Sequence, residues 1–155
     1  MDTSVGISVE INGALVSRSV PAETLLIDFL RDDMGLRSVK LSCDMEICGA
    51  CTVLVDGLPM SSCTTLAADV DGSKVTTVEG LIIDGVLDPL QQAFIDHGAV
   101  QCGFCTPGFI LAAKALLLRN PNPTRAEIVS ALDGNICRCT GYTKIVEAIR
   151  HAASA

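Results

Sequence analysis

Residues 43–57 read CDMEICGACTVLVDG: three cysteines in a short loop, a β-branched run, and an Asp-Gly pair. TVLV before Asp56-Gly57 predicts a strand ending in a tight turn. Toward the N-terminus, Val5, Ile7, Val9 and Ile11 alternate, Asn12-Gly13 predicts a hairpin turn, and a second strand runs through Leu15–Val20. Pro21 precedes a helical pattern with Leu25, Leu26, Phe29 and Leu30 on one face, stopped near Gly35. A last strand is expected at Lys74–Val78. Strands wrapped around one helix make a small α+β unit.

The second half changes character. Asp88-Pro89 predicts an N-cap and a first-turn proline, opening a helix through Phe94 that closes at Gly98. Thr106-Pro107 reads as the same device ahead of a helix to about Arg119. Thr124-Arg125-Ala126-Glu127 is a capping box with Ile128, Val129 and Leu132 behind it, and Ile145, Val146 and Ile149 mark a fourth helix. EGLIIDGVL at 79–87 is the expected junction. Two small domains follow, residues 1–79 and residues 80–155.

Composition bounds the chemistry. The net charge of −7 and a pI near 4.6 argue against nucleic-acid binding, which calls for a basic patch. The longest apolar stretch, FILAAKALLL at 109–118, contains Lys114 and is far short of a membrane span, so no membrane insertion is expected. MDTSVGISVEINGA has no basic stretch followed by an apolar run, which makes the reducing cytoplasm the expected compartment. There the 8 cysteines are ligands rather than disulfide partners. A mean hydropathy of +0.46 is high for so small a chain and points to burial against partner subunits.

Cys43, Cys48 and Cys51 are spaced C-x4-C-x2-C, and Cys63 follows after eleven residues. That is the plant-type pattern for a [2Fe–2S] cluster. A loop carrying three thiolates wraps around two irons and two sulfides, and small residues such as Gly49 and Ala50 let the chain pass close. Zinc is the competing reading, although this is an odd zinc knuckle. A Rieske centre needs two histidine ligands, whereas His97 and His151 lie in no such motif and read as surface side chains. The remaining cysteines lie in QCGFCTPG (101–108) and NICRCTGY (135–142). One residue separates Cys137 from Cys139, too few for an unstrained disulfide. Each pair precedes a helix N-terminus, which favours thiolates. Taken alone, C-x2-C…C-x-C suits zinc as well as iron and sulfide.

CGACTVLVDG, QCGFCTPG and GNICRCTGY in this order closely resemble the small iron–sulfur subunit of the molybdenum hydroxylases. That family includes xanthine dehydrogenases, aldehyde oxidoreductases, carbon monoxide dehydrogenases and N-heterocycle hydroxylases. The resemblance runs over roughly residues 5–152. It implies an N-terminal β-grasp, plant-type ferredoxin-like domain and a C-terminal four-helix bundle. Cys43, Cys48, Cys51 and Cys63 would hold one [2Fe–2S] cluster, and Cys102, Cys105, Cys137 and Cys139 the other. Gln101 and Cys139 would lie nearest a molybdopterin centre on a large partner subunit. Electrons would pass from there through both clusters, usually to FAD on a medium partner subunit. Ser38, Ser42 and Glu46 depart from the pattern, standing where members often have glycine.

No GxGxxG, Walker loop or nucleophile–base constellation occurs, which fits a relay without a substrate site of its own. Substrate choice would belong to the large subunit. Two other readings stay open from the residues alone: a free-standing two-cluster ferredoxin-type carrier, and a zinc-stabilised interaction module.

Overall fold

Asn12 (φ +49°) and Gly13 (φ +84°) both take the left-handed backbone in the computed structural model of the chain, which describes residues 3–154. Two such residues in succession make the hairpin turn whose twist matches its strands. Across it, β1 (Ser4–Ile11) and β2 (Ala14–Pro21) pair antiparallel from Ser4↔Pro21 to Ile11↔Ala14. Asp56 (φ +50°) and Gly57 (φ +82°) repeat the device between β3 (Thr52–Val55) and β4 (Leu58–Ser61). The sequence reading missed β4, because Pro59 argues against a central strand. It is tolerated here because β4 is an edge strand.

β5 (Lys74–Thr76) completes a mixed five-stranded sheet of order β2-β1-β5-β3-β4, parallel to β1 and antiparallel to β3. It is shorter than expected, since the chain turns into a 3-10 turn at Val78–Leu81. Helix α1 (Leu26–Asp28) continues into a wider π turn at Phe29–Asp33 and buries Leu26, Ile27, Phe29 and Leu30 against Ile7, Val9, Ile11, Val53 and Val75. Full burial of side chains this size contributes about 1.5–3 kcal/mol each.

All four residues of β3 are buried. Val53 and Val55 face the core under α1, while Leu54 belongs to a second core built by helices. That core holds α2 (Pro89–Asp96), α3 (Thr106–Arg119), α4 (Arg125–Ala131) and α5 (Thr143–Ala152). α2 packs on α5, α5 on α4, α4 on α3 and α3 on α2, while α3 also lies against β3. The fold is therefore α+β, a mixed sheet joined to a helical unit. Helix α3 is apolar on nearly every side because it is sandwiched between sheet and helices. Lys114, half-buried on it, pairs with Asp88 at 2.5 Å. Among the described residues no helix is long and apolar enough to cross a membrane.

The caps are largely as read. Asp88 accepts from Leu90 N–H at 3.0 Å, and Gln91 Oε1 accepts from Asp88 N–H at 2.9 Å, making a full capping box. Thr124 and Glu127 form the expected reciprocal pair. Thr106 differs. It is the first helical residue of α3, and Cys105 holds the N-cap position without a side-chain bond. His97 and His151 are a half-buried and an exposed residue whose rings pack at 4.8 Å, joining the ends of α2 and α5.

Candidate metal centres

The β3–β4 hairpin does for the first cysteine loop what sequence spacing alone does not. Its register, Thr52↔Ser61, returns the chain so that Cys63 lands beside Cys51. Ser62 fastens the return by donating from Oγ to the Cys51 carbonyl at 2.7 Å. Within the loop, Cys43 Sγ accepts from the N–H groups of Ile47 and Cys48, each at 3.4 Å. Together with the Met45 N–H these hold the Cys43 thiol down at about 6. Cys63 moves the opposite way. Its burial, reinforced by the Cys51 and Cys43 sulfurs, pushes it up to about 11. The thiols thus stand as neighbouring pairs, Cys43 with Cys48 and Cys51 with Cys63.

Of Ser38, Ser42 and Glu46, only Glu46 (φ +60°) occupies a left-handed position. A non-glycine residue there costs about 1–2 kcal/mol, and the Glu46 carboxylate accepts from Thr64 Oγ1 at 3.2 Å, next to Cys63. Ser38 serves a different purpose: its N–H donates to Glu79 Oε1 at 3.1 Å and its hydroxyl to Glu79 Oε2.

The second group is also paired. Cys102 and Cys139 Sγ atoms are 3.7 Å apart, and Cys105 faces Cys137. All eight cysteines are free thiols. Two thiolates bound at about 2.3 Å to one tetrahedral metal ion stand about 3.8 Å apart, so the 3.7 Å separation suits ligands sharing an ion. Among the described residues no group of three or more His, Cys, Asp or Glu is set to hold a metal ion. Each group presents its four thiols as two neighbouring pairs.

Burial and Cys137 push Cys105 up to about 12, outweighing its place at the N-terminus of α3. Cys137 is buried, which raises its thiol, but Thr140 donates to its Sγ from Oγ1 at 3.1 Å and from N–H at 3.4 Å, leaving it below the ordinary value. Cys139 is raised, chiefly by Cys102. Crowded thiols oppose one another's ionisation, and a bound cation reverses that opposition. The donor set of each group, four sulfurs with N–H and O–H groups directed at Cys43 and Cys137, fits an iron–sulfur centre. Tyr142 (φ +70°) closes the second loop, its hydroxyl accepting from Cys137 N–H at 3.1 Å and its ring packed 6.1 Å from that of Phe109. Gln101, Cys102 and Cys139 are exposed.

The two groups adjoin. A cavity of about 260 Å³ is lined by Ser42 and Cys48 from the first loop and by Cys102, Cys105, Cys137 and Cys139 from the second. Ile136 N–H donates to the Cys48 carbonyl at 2.9 Å, and Asn135 Nδ2 to the Gly49 carbonyl at 3.0 Å. Gly49 is needed for this approach: a Cβ on it would run into the Asn135 side chain and the Gly134 carbonyl. Asn135, Thr140 and Tyr142 lie inside or beside the cysteine motif, yet nothing in their order marks these roles. Glu79 carries no sequence signal at all.

Known proteins share these features. A model described as "[2Fe-2S] binding domain" matches residues 77–150, and one described as "2Fe-2S iron-sulfur cluster binding domain" matches residues 29–96. The fold and both regions thus define a two-cluster iron–sulfur protein. The nicotine 6-hydroxylase small subunit of Paenarthrobacter nicotinovorans is 53% identical over 148 residues, 96% of this chain and 89% of that protein. The nicotinate dehydrogenase small FeS subunit of Eubacterium barkeri is 50% identical over 148 residues, 96% of this chain and 94% of that protein. A chain of the crystal structure of quinoline 2-oxidoreductase from Pseudomonas putida 86 superposes with a TM-score of 0.95 at 43% identity, covering 99% of this chain and 96% of that one. The chain belongs to the family of small iron–sulfur subunits of the molybdenum hydroxylases, multi-subunit oxidoreductases in which it serves electron transfer.

Proposed function

We propose that Cys43, Cys48, Cys51 and Cys63 hold one [2Fe–2S] cluster and Cys102, Cys105, Cys137 and Cys139 the other. Each cluster supplies a one-electron carrier when bound. Gln101 and Cys139, on the exposed side of the second group, would face the molybdopterin of a large subunit and let electrons enter there, and the Cys43 side would pass them toward FAD on a medium subunit. The observation that carries this order is exposure: Cys102 and Cys139 of the second group are exposed, while Cys48 is half-buried and lines the cavity that the two groups share.

In this reading residues 1–79 form the β-grasp ferredoxin-like domain, residues 80–155 form a four-helix bundle, and the assembly works in the cytoplasm. Nicotine, nicotinate and quinoline, named in the relatives, are all nitrogen heteroaromatics, and we take the large subunit's substrate to be such a ring. A free-standing carrier is the weaker reading, because the curated relatives above are subunits.

Cysteine variants test the order. Cys48→Ser replaces a soft ligand by a hard one and weakens the first cluster. In the assembled complex, substrate should still reduce the remaining cluster while turnover with the terminal acceptor largely fails. Cys102→Ser should block both. Stopped-flow absorbance and paramagnetic resonance read the outcome. The order is wrong if Cys48→Ser abolishes substrate-driven cluster reduction while Cys102→Ser retains it.

A further inference from the structure

Three backbone segments meet between the two cysteine groups. They are Cys48–Gly49 of the first loop, Gly108 in the first turn of α3, and Gly134–Ile136 ahead of Cys137. A Cβ on Gly108 would strike the Gly49 carbonyl, and a Cβ on Gly49 would strike the Gly134 carbonyl. Asn135, 8% exposed, reaches across this contact, where the buried Thr52 hydroxyl also lies. Its Nδ2 donates to the Gly49 carbonyl at 3.0 Å and lies 3.4 Å from Thr52 Oγ1. Its own N–H is anchored on the Leu132 carbonyl at 2.9 Å, at the end of α4. One residue on, Ile136 N–H donates to the Cys48 carbonyl at 2.9 Å.

We infer that Asn135 is a positioning residue that locks the two cysteine loops at one separation. The inference rests on the cluster assignment above. Cys48 and Cys137 belong to different groups, yet covalent bonds and the single Ile136–Cys48 hydrogen bond connect them. Asn135 holds the neighbouring residue of both loops, Gly49 on one side and Ile136 on the other. A buried amide is suited to this because it donates at fixed reach. Removing it leaves the Gly49 carbonyl with Thr52 alone, which bonds it from N–H at 3.2 Å and Oγ1 at 2.7 Å within its own loop. Nothing from that side chain would then bridge the loops. Groups that orient ligands from outside the ligand set govern how a metal site performs.

The test uses the assembled complex with both clusters reduced. Magnetic interaction between two nearby paramagnets splits their resonance signals and falls steeply with separation. Wild type should show two cluster signals with resolved splitting; fewer than two signals would refute the cluster assignment itself. Asn135→Ala should keep both clusters, by iron content and visible absorbance, while the splitting is diminished or lost. Asn135→Asp, the same shape without the donor, should do likewise. Gly108→Ala wedges the same contact from α3 while keeping the amide, and reads the same splitting should the Asn135 variants fail to assemble. Unchanged splitting in Gly108→Ala and in any assembled Asn135 variant overturns the inference. So does selective loss of one cluster in Asn135→Ala, which would make the residue a local support of that loop.

Discussion

Replacing Glu79 by alanine should free the segment that leads into Cys43. Its carboxylate accepts from Ser38 N–H at 3.1 Å, from the Ser38 hydroxyl, and from Thr77 Oγ1 at 2.6 Å. Thr77 is in turn gripped by Asn12, accepting from Nδ2 and donating its N–H to Oδ1, both at 2.9 Å. One carboxylate therefore ties the approach to the first cysteine loop to β5 and the β1–β2 turn. Hydrogen bonds to an ionised group contribute about 1.5–3 kcal/mol each, and a buried hydroxyl proton left without an acceptor costs about 1–3 kcal/mol. Ser38 is half-buried and regains water, so the Thr77 side dominates and Glu79→Ala should cost about 2–4 kcal/mol. In a chain of this size each kcal/mol moves the melting midpoint by about 2–4 °C, which gives a fall of roughly 4–16 °C. Glu79→Gln keeps an acceptor oxygen and should lose about 1 kcal/mol.

The pH dependence has a definite sign. Burial pulls the Glu79 carboxyl up, but the hydrogen bonds from Ser38 and Thr77 outweigh it and hold it below the ordinary range. A carboxyl depressed in the folded state stabilises fully above its unfolded value of about 4.3 and loses that contribution as pH falls through the folded value. The wild-type advantage over Glu79→Gln should therefore be flat from pH 8 to about 5 and narrow only in stronger acid. Melting followed by far-ultraviolet circular dichroism and visible absorbance reads both effects. A fall under about 2 °C for Glu79→Ala, or an advantage that shrinks between pH 7 and 6, would refute the reasoning.

Expressed without partners, the chain should associate on size exclusion, since Ile83 (71% exposed), Val86 (68%), Met45 (61%), Ile47 and Phe104 are open to solvent; a cluster-replete monomer would instead favour a free-standing carrier. Purified protein should carry about four irons and four acid-labile sulfides per chain and bleach on reduction; colourless protein with stoichiometric zinc would exclude the cluster assignment. Phe109→Ala should destabilise the helical unit by about 3–5 kcal/mol, and because that ring backs Tyr142 the second cluster's absorbance should go first.

Local chemistry was legible in the sequence because it is local. Asn12-Gly13 and Asp56-Gly57 admit few backbones other than the turns they form, and Thr124 with Glu127 names its own helix start. Alternation in β1 places Ile7, Val9 and Ile11 in the core, and the C-x4-C-x2-C spacing of the first cysteine group points to a [2Fe–2S] centre before any fold is known. Where propensity and context compete, the sequence misleads. Pro59 hides an edge strand, and Thr106 looks like a cap one residue inside the helix it would open. What no local pattern contains is the meeting of distant segments. The register of β3 on β4 sets Cys63 against Cys51, and β3 is buried on both faces because a helix 50-odd residues on covers its back (an interval of order tens of residues, beyond any local periodicity). Nothing in the order of the chain marks Gly49, Gly108 and Asn135 as neighbours. Only when sheet and helices close together do their backbones touch, and that contact sets how near the two cysteine groups stand.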